Sequence, residues 1–257
     1  MDKVNKKSQI AVYLIFVLVA IATFMFITTK KPQPESPELY EIDTPAVRQY
    51  VENCMMLTGD EAINMIAMQG GYLTLESSEN GELSATIPYY WDQGVNQVPE
   101  LGIIELGIAG YMKTVFPYCL DNFSQFKDAG LTIETKEIKP TVNIQENIVS
   151  ININMPTSIK SIAATKRLEN YQITLDSHLG YVYESAKILV AEQNLVGNAL
   201  PLSFYSNLAD VRNFDFEIEY VTDNSIVVRI YKNDTNPLMY MYGLHYDWSD
   251  LEEEDET

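Results

Sequence analysis

The sequence predicts an α+β fold behind an N-terminal transmembrane helix, in a chain of 257 residues. Three observations support this prediction. Residues 10–28 carry no charge, two long segments between residues 44 and 130 repeat apolar residues at helical spacing, and much of the remainder alternates apolar and polar residues. We therefore expect a transmembrane helix, a helix–hairpin–helix unit, and a mixed unit with an antiparallel sheet.

The apolar segment at residues 10–28, within the N-terminal segment 1–29, is long enough to cross a bilayer. Its nineteen residues would span about 28 Å as a helix. A cleaved secretory signal is the alternative, because Ala20-Ile21-Ala22 has a small-x-small pattern. The apolar run continues beyond that site, which favours a retained anchor. The short N-terminal flank favours an orientation with the following domain outside the cytoplasm.

Residues 30–42 contain three prolines and predict an extended, semi-stiff spacer. Residues 32–257 carry 12 basic and 35 acidic side chains, a net charge of −23. Such an acidic domain repels phosphate backbones, so we expect no nucleic-acid partner. The last nine residues, 249–257, are predicted to form a frayed acidic tail.

The helix–hairpin–helix unit, residues 43–130, opens with a clear helix signal. Thr44-Pro45 is typical of an N-cap followed by proline at the first helical position. Gly70-Gly71 is typical of a helix end, because glycine adopts positive φ without strain. A hairpin is then predicted around Asn80-Gly81, a strong turn signal.

The aromatic stretch PYYWDQGVNQVP is predicted to be a loop, and a second helix is expected from Pro99 to Gly130, kinked or split at Pro117. Three rings in the loop form a candidate binding patch that could stack a sugar or grip a partner: Tyr89, Tyr90 and Trp91. The alternative, which is the more common fate of such rings, is that they fold back into the core.

The unit at residues 131–248 is predicted to contain strands and two helices. Residues 131–156 alternate apolar and polar residues as two or three strands, and NYQITLD adds another. SHLGYVYESAKILVAEQ and PLSFYSNLADV predict helices, the second capped by Pro201. A closing antiparallel meander is expected from FDFEIEYV, SIVVRIYK and LMYMYGLHYDW, with turns at Asp223-Asn224 and Asn233-Asp234.

Cys54 and Cys119 are the only cysteines, and each falls on the predicted buried stripe of a helix. In a domain outside the cytoplasm we expect a disulfide that clamps the two helices. Two buried thiols are the alternative. The bond would close a loop of 65 residues and stabilise the fold by about 4 kcal/mol in the chain-entropy model. A catalytic thiol is not expected, since neither cysteine has a nearby histidine in sequence.

Neither a metal site nor a catalytic site is predicted. His178 and His245 are the only histidines. Asp247, two residues after His245, suggests a pair of metal ligands, but no further ligand at a suitable spacing supports a metal site. Alternation along the last strand predicts a half-exposed His245 instead. No catalytic, nucleotide-binding or metal-binding motif is present, so no catalytic residue and no cofactor are assigned.

Two segments match the N-glycosylation pattern, at Asn122 and Asn233. Asn233 lies in a predicted exposed turn and is the better candidate. Asn122 is expected on a helix near Cys119.

Several segments resemble known protein groups. KKSQIAVYLIF resembles the archaeal class III, prepilin-type signal, and this resemblance implies cleavage between Ser8 and Gln9. The segments YVENCMMLTGDEAINMIAMQGGYL, IPYYWDQGVNQVPE and PYCLDNF look like a group of uncharacterised archaeal single-pass membrane-anchored proteins. Their shared pattern is Cys, then Gln-Gly-Gly-Tyr, then Pro-Tyr-Tyr, then Cys. This resemblance implies a location and an architecture, and it implies no reaction.

The sequence therefore predicts a non-enzymatic, membrane-anchored envelope protein that presents an extracytoplasmic contact or scaffolding domain. Its expected partners are the membrane, through residues 10–28, and an envelope protein or glycan. One alternative is a pilin-like filament subunit processed before Gln9. The other is an anchored enzyme or binding module that acts on envelope glycans or peptides near Tyr89, Tyr90 and Trp91.

Overall fold

The computed structural model describes residues 43–73, 87–232 and 237–248. The predicted transmembrane helix, the spacer, the Asn80-Gly81 hairpin turn, the Asn233-Asp234 turn and the acidic tail lie outside the described residues. Within these three ranges, no helix combines the length and the apolar character needed to cross a membrane.

The described residues confirm a mixed α+β fold with two sheets. The helices are α1 (Thr44–Met68), α2 (Leu101–Leu120), a 3-10 turn (Asp121–Phe123), α3 (Ser124–Lys127), α4 (Leu179–Val196) and α5 (Leu202–Arg212). The strands are β1 (Tyr89–Asp92), β2 (Val95–Asn96), β3 (Thr132–Thr135), β4 (Lys139–Ile144), β5 (Ile148–Lys160), β6 (Thr165–Asp176), β7 (Asp215–Thr222), β8 (Ser225–Tyr231) and β9 (Met239–His245).

The four-stranded sheet is built around the long strand β5. Strand β6 pairs antiparallel along one edge of β5, and β3 and β4 share its other edge. The alternation predicted for this segment is observed, because every second residue of β5 from Val149 to Ile159 is buried. A register shift between Asn154 and Thr157 marks a bulge in β5.

The five-stranded sheet has the order β2-β1-β9-β8-β7. Strands β7, β8 and β9 form the predicted antiparallel meander, with a turn at Asp223-Asn224. The prediction of a loop at PYYWDQGVNQVP was wrong, because this segment contains the hairpin β1–β2. Gln93 and Gly94 both have positive φ in its two-residue turn. Strand β1 pairs parallel with β9, so the sheet is mixed.

Helix α1 begins one residue earlier than predicted. Asp43 is the N-cap, and its carboxylate accepts a hydrogen bond from the Ala46 amide at 3.0 Å. The predicted end is observed, since Gly70 and Gly71 have φ of 57° and 85°. Gly59 allows α1 to approach the four-stranded sheet, because a Cβ there would lie 2.8 Å from Ile151 Cδ1.

Helix α2 continues through Pro117 and ends at Leu120, rather than splitting at the proline or reaching Gly130. Pro117 removes one backbone hydrogen bond, to the Lys113 carbonyl, and it lies so near the end of α2 that only the last turn is affected. The chain then makes a left-handed turn, with positive φ at Asp121, Asn122 and Phe123. This turn ends α2 and directs the short helix α3 toward β3.

One hydrophobic core underlies both sheets. Buried side chains from α1, α2, α4, α5 and both sheets belong to a single contiguous cluster. The predicted units 43–130 and 131–248 therefore contribute to the same core and, through the β1–β9 pairing, to the same sheet.

Candidate functional site on the five-stranded sheet

A bulge in β1 decides which side chains reach the surface near the centre of the five-stranded sheet. The register shifts between Tyr89 and Trp91, so Tyr90 and Trp91 both enter the core instead of alternating. Tyr89 and Asp92 project on the opposite face, where they meet side chains from β8 and β9.

The burial of Tyr90 and Trp91 rules them out as a surface patch. The Tyr90 ring stacks on Tyr242 with centroids 4.8 Å apart, and its hydroxyl donates to the Gly70 carbonyl at 2.9 Å. Trp91 packs against Tyr246. The predicted patch of three rings is therefore not formed, because two of the rings fill the core and only Tyr89 stays partly exposed.

Four polar side chains form a connected cluster on the outer face, which we call the His245 cluster. His245 Nδ1 lies 2.7 Å from Asp92 Oδ1, and the Tyr89 ring stacks on the imidazole with centroids 5.1 Å apart. The Tyr89 hydroxyl shares a hydrogen bond of 2.8 Å with Ser225 Oγ. Asp92, His245 and Ser225 lie at the same register across β1, β9 and β8.

The His245 cluster combines groups that could exchange protons, but its arrangement favours binding over catalysis. Asp92 engages Nδ1 and leaves Nε2 available for another contact. Ser225 is only 3% exposed and its hydroxyl is engaged by Tyr89, so it is poorly placed to attack a substrate. Clefts of about 440, 520 and 290 Å³ occur elsewhere, and none of these three is lined by cluster residues.

The histidines do not assemble a metal centre in the described ranges. The carboxylate of Asp92, on β1, contacts His245. His178 lies at the start of α4, where its Nδ1 is 3.0 Å from Asn147 Oδ1. Across residues 43–73, 87–232 and 237–248, no group of three His, Cys, Asp or Glu side chains is placed to hold an ion.

The predicted cysteine pair is confirmed. Cys54 of α1 and Cys119 of α2 form a disulfide, with Cα atoms 5.7 Å apart. Tyr50, one turn before Cys54, donates a hydrogen bond of 3.0 Å to the Cys119 carbonyl. That carbonyl belongs to the last turn of α2 and would otherwise have no helical partner. The covalent and hydrogen-bonded contacts together clamp α1 to the end of α2.

Of the predicted glycosylation and cleavage sites, only Asn122 lies among the described residues. Asn122 lies in the left-handed turn after α2, rather than on the helix, and its side chain is exposed. Asn233, and the predicted cleavage site between Ser8 and Gln9, lie outside the described residues.

Buried tyrosines give the core beneath the His245 cluster an unusual chemistry. Tyr90 and Tyr240 share a hydrogen bond, and Tyr246 donates to Gln193 at 2.9 Å. Burial raises the pKa of Tyr90, Tyr240 and Tyr246 well above 10.0, because the charged phenolate is poorly solvated there. These phenols therefore act as neutral hydrogen-bonding groups that hold the sheet to the helices.

Comparison with known proteins gives no assignment: no family model, no curated protein and no solved structure matches the chain.

Proposed function

We propose that this chain is a membrane-anchored envelope protein whose described domain acts outside the cytoplasm as a contact or scaffolding module. The apolar segment at residues 10–28 would be the anchor, and residues 30–42 would be the spacer that separates the domain from the membrane. In this proposal the domain binds an envelope protein or glycan and catalyses no reaction.

The Cys54–Cys119 disulfide is the observation that carries the proposal. Structural disulfides persist in oxidising compartments and are rare in the cytosol, where thiols are kept reduced. The bond joins two helices of the core, so it would fix the relative position of the elements that support both sheets. A contact module benefits from such rigidity, because less conformational entropy is lost on binding.

The His245 cluster is the best-supported contact surface in this proposal. It is partly exposed, and it combines an aromatic ring, a carboxylate and an imidazole, which suit polar and aromatic contacts with a macromolecule. The neighbouring strand β7 adds Glu217 and Glu219 on exposed positions, where Glu219 pairs with Arg229 of β8 and Glu217 accepts a hydrogen bond from Tyr231. A partner with basic side chains would complement this face.

Labelling of intact cells tests the proposed location. A membrane-impermeant amine reagent should modify exposed lysines such as Lys113 and Lys187 without lysis. A cytosolic protein in the same cells is the control and should react only after lysis. If the domain reacts only after lysis as well, the proposed location is wrong.

A second measurement tests the contact surface. His245→Ala combined with Asp92→Ala should abolish crosslinking of the domain to its envelope partner in intact cells. A matched control pair on another surface, Lys187→Ala with Glu184→Ala, should leave crosslinking unchanged. Equal crosslinking by both double variants would contradict the assignment of this face.

A further inference from the structure

The β5–β6 hairpin ends in an apolar tip that no described residue covers. Ile162 is 105% exposed, and Ala163 and Ala164 beside it are also exposed. Single apolar residues on a surface are common and carry little meaning alone. The residues around this tip and its position in the fold make it informative.

Basic side chains surround the tip in an otherwise acidic domain. Residues 156–168 contain three basic residues and no acidic residue, whereas residues 32–257 have a net charge of −23. Lys136, Lys160 and Arg167 line a cleft of about 440 Å³ beside the bulge in β5. We call Ile162 together with the three basic residues that line the cleft, Lys136, Lys160 and Arg167, the hairpin tip.

Opposing carboxylates only partly neutralise the hairpin tip. Glu134 lies 2.7 Å from Lys160 Nζ, and Glu169 also lines the cleft. The side chains of Lys136 and Arg167 make no ion pair with any residue in the described ranges. Two basic groups therefore remain available to an anionic partner.

The hairpin tip lies at the end of the sheet where the chain enters the domain. Near the start of α1, Arg48 donates to the Asn170 carbonyl at 2.9 Å, and farther along α1 a Cβ on Gly59 would lie 3.0 Å from Leu175 Cδ1. The two contacts are eleven residues apart on α1 and five residues apart on β6, and each separation spans about 16 Å. Both contacts advance with increasing residue number, so α1 and β6 run side by side in the same direction. Because β6 starts at the tip, the N-terminus of α1 points toward the tip.

The hairpin projects beyond the point of chain entry. Asp43 lies five residues before Arg48, about 7 Å along the helix, and Thr165 lies five residues before Asn170, about 16 Å along the strand. The tip therefore extends about 10 Å farther than the start of α1. A surface approached from this end of α1 would therefore meet the tip before it meets Asp43.

We propose that the hairpin tip docks on an anionic lipid surface, with Ile162 in the interfacial layer and Lys136 and Arg167 on headgroup phosphates. This inference rests on the proposed membrane anchor, whose spacer of 13 residues would span about 40 Å in an extended polyproline II conformation. Salt screens charges beyond about 8 Å, so the tip feels the lipid charge while most of the acidic body does not. Docking would hold the domain in one orientation relative to the lipid surface.

A quenching experiment on the full chain tests this docking. The reporter is Ile162→Trp, reconstituted in vesicles of phosphatidylcholine and phosphatidylglycerol whose acyl chains carry bromine. The matched control is Leu195→Trp, at an 81% exposed apolar position of α4. Both variants keep Trp91 and Trp248, so any difference between them comes from the new ring. We expect quenching for Ile162→Trp only, reduced by high salt and by pure phosphatidylcholine.

Removing the basic groups tests whether Lys136 and Arg167 contribute to docking on anionic lipid. Lys136→Gln or Arg167→Gln in the reporter chain should each lower the ratio of docked to free tips about fivefold. Lys187→Gln, on α4, is the control and should have no effect. Unchanged docking in both tip variants would contradict the proposal.

Vesicle flotation separates the two proposals. If the chain floats with the vesicles while Ile162→Trp stays unquenched, or is quenched no more than Leu195→Trp, docking is wrong and the anchor remains supported. If the chain fails to float with anionic vesicles, both the anchor and the docking are contradicted.

Discussion

His245 and Asp92 are 153 residues apart in sequence, yet the imidazole Nδ1 lies 2.7 Å from the carboxylate. The parallel pairing of β1 with β9 brings them opposite each other. Their side chains are 28% and 25% exposed, so the pair is shielded from solvent more than an ordinary surface ion pair. It joins the edge hairpin β1–β2 to the centre of the sheet.

A double-mutant cycle measures the coupling free energy between Asp92 and His245. Asp92→Asn, His245→Gln and the double variant should reveal a coupling of about 1 kcal/mol in urea unfolding at neutral pH. The control cycle uses Lys187 and Glu184, whose side chains are 54% and 48% exposed, and should give a coupling close to zero. A coupling no larger than that of the control pair would show that the contact contributes nothing to the fold.

The disulfide should account for a large share of the stability. Replacing both Cys54 and Cys119 by Ala opens a loop with a sequence separation of 65 residues. We expect the free energy of unfolding to fall by about 4 kcal/mol in the chain-entropy model. Urea unfolding of the double variant checks this value, and the wild-type chain treated with a reductant is the control. A loss below about 1 kcal/mol in both samples would contradict the clamp.

Gly59 leaves no room for a side chain unless Ile151 and Leu175 shift. Gly59→Ala places a methyl group 2.8 Å from Ile151 Cδ1 and 3.0 Å from Leu175 Cδ1. We expect α1 to shift and stability to fall by about 1–3 kcal/mol. The control is Gly102→Ala in α2, where no atom outside the adjoining backbone lies within 4 Å of the new Cβ. Alanine has the higher helix propensity, so this variant should gain up to about 1 kcal/mol. Urea unfolding that ranks the two variants in the opposite order would refute the packing described for α1.

The buried tyrosines predict unfolding at alkaline pH. Burial raises the pKa of Tyr90, Tyr240 and Tyr246 above the unfolded value of 10.0, so the native state holds their protons more tightly. Their contribution to stability is complete below pH 10 and is lost as pH rises toward the folded-state values. Urea unfolding against pH, followed together with tyrosinate absorbance, checks this sign. A stability that stays constant well above pH 10 would contradict it.

Local periodicity was enough to predict the elements that bury one regular face. In α4, where a helix was predicted, apolar residues at helical spacing are buried: Leu179, Val182, Tyr183, Ala186, Leu189 and Val190. Strand β5 was found in the same way. The Cys54–Cys119 disulfide was predicted correctly because each cysteine lies on the regular apolar face of a predicted helix.

Strand β1 was missed because its bulge removes the alternation that identifies a strand. Tyr90 and Trp91 are adjacent in sequence and both buried, a pattern with no period of two. The turn after β1 uses Gln93-Gly94, a weaker signal than Asn-Gly. The stretch therefore looked like an aromatic loop, and its rings looked available for binding.

The His245 cluster could be predicted only in part. Alternation along β9 correctly predicted a half-exposed His245, and Tyr240, Tyr242 and Leu244 are buried on the opposite face. Its partner Asp92 could not be found from sequence, because a parallel register between distant strands depends on tertiary packing. The exposed Ile162 and its basic neighbours were visible in the sequence, but only the fold shows that they share an end with the start of α1.

The redox state of Cys54 and Cys119 inside living cells tests the central claim most directly. Cells are quenched with acid, free thiols are trapped with a mass-tagged alkylating reagent, and the intact chain is analysed by mass spectrometry before and after reduction. The account predicts a chain that takes up no tag before reduction and two tags afterwards. A chain that already carries two tags in the unreduced sample would contradict both the disulfide and the location outside the cytoplasm that depends on it.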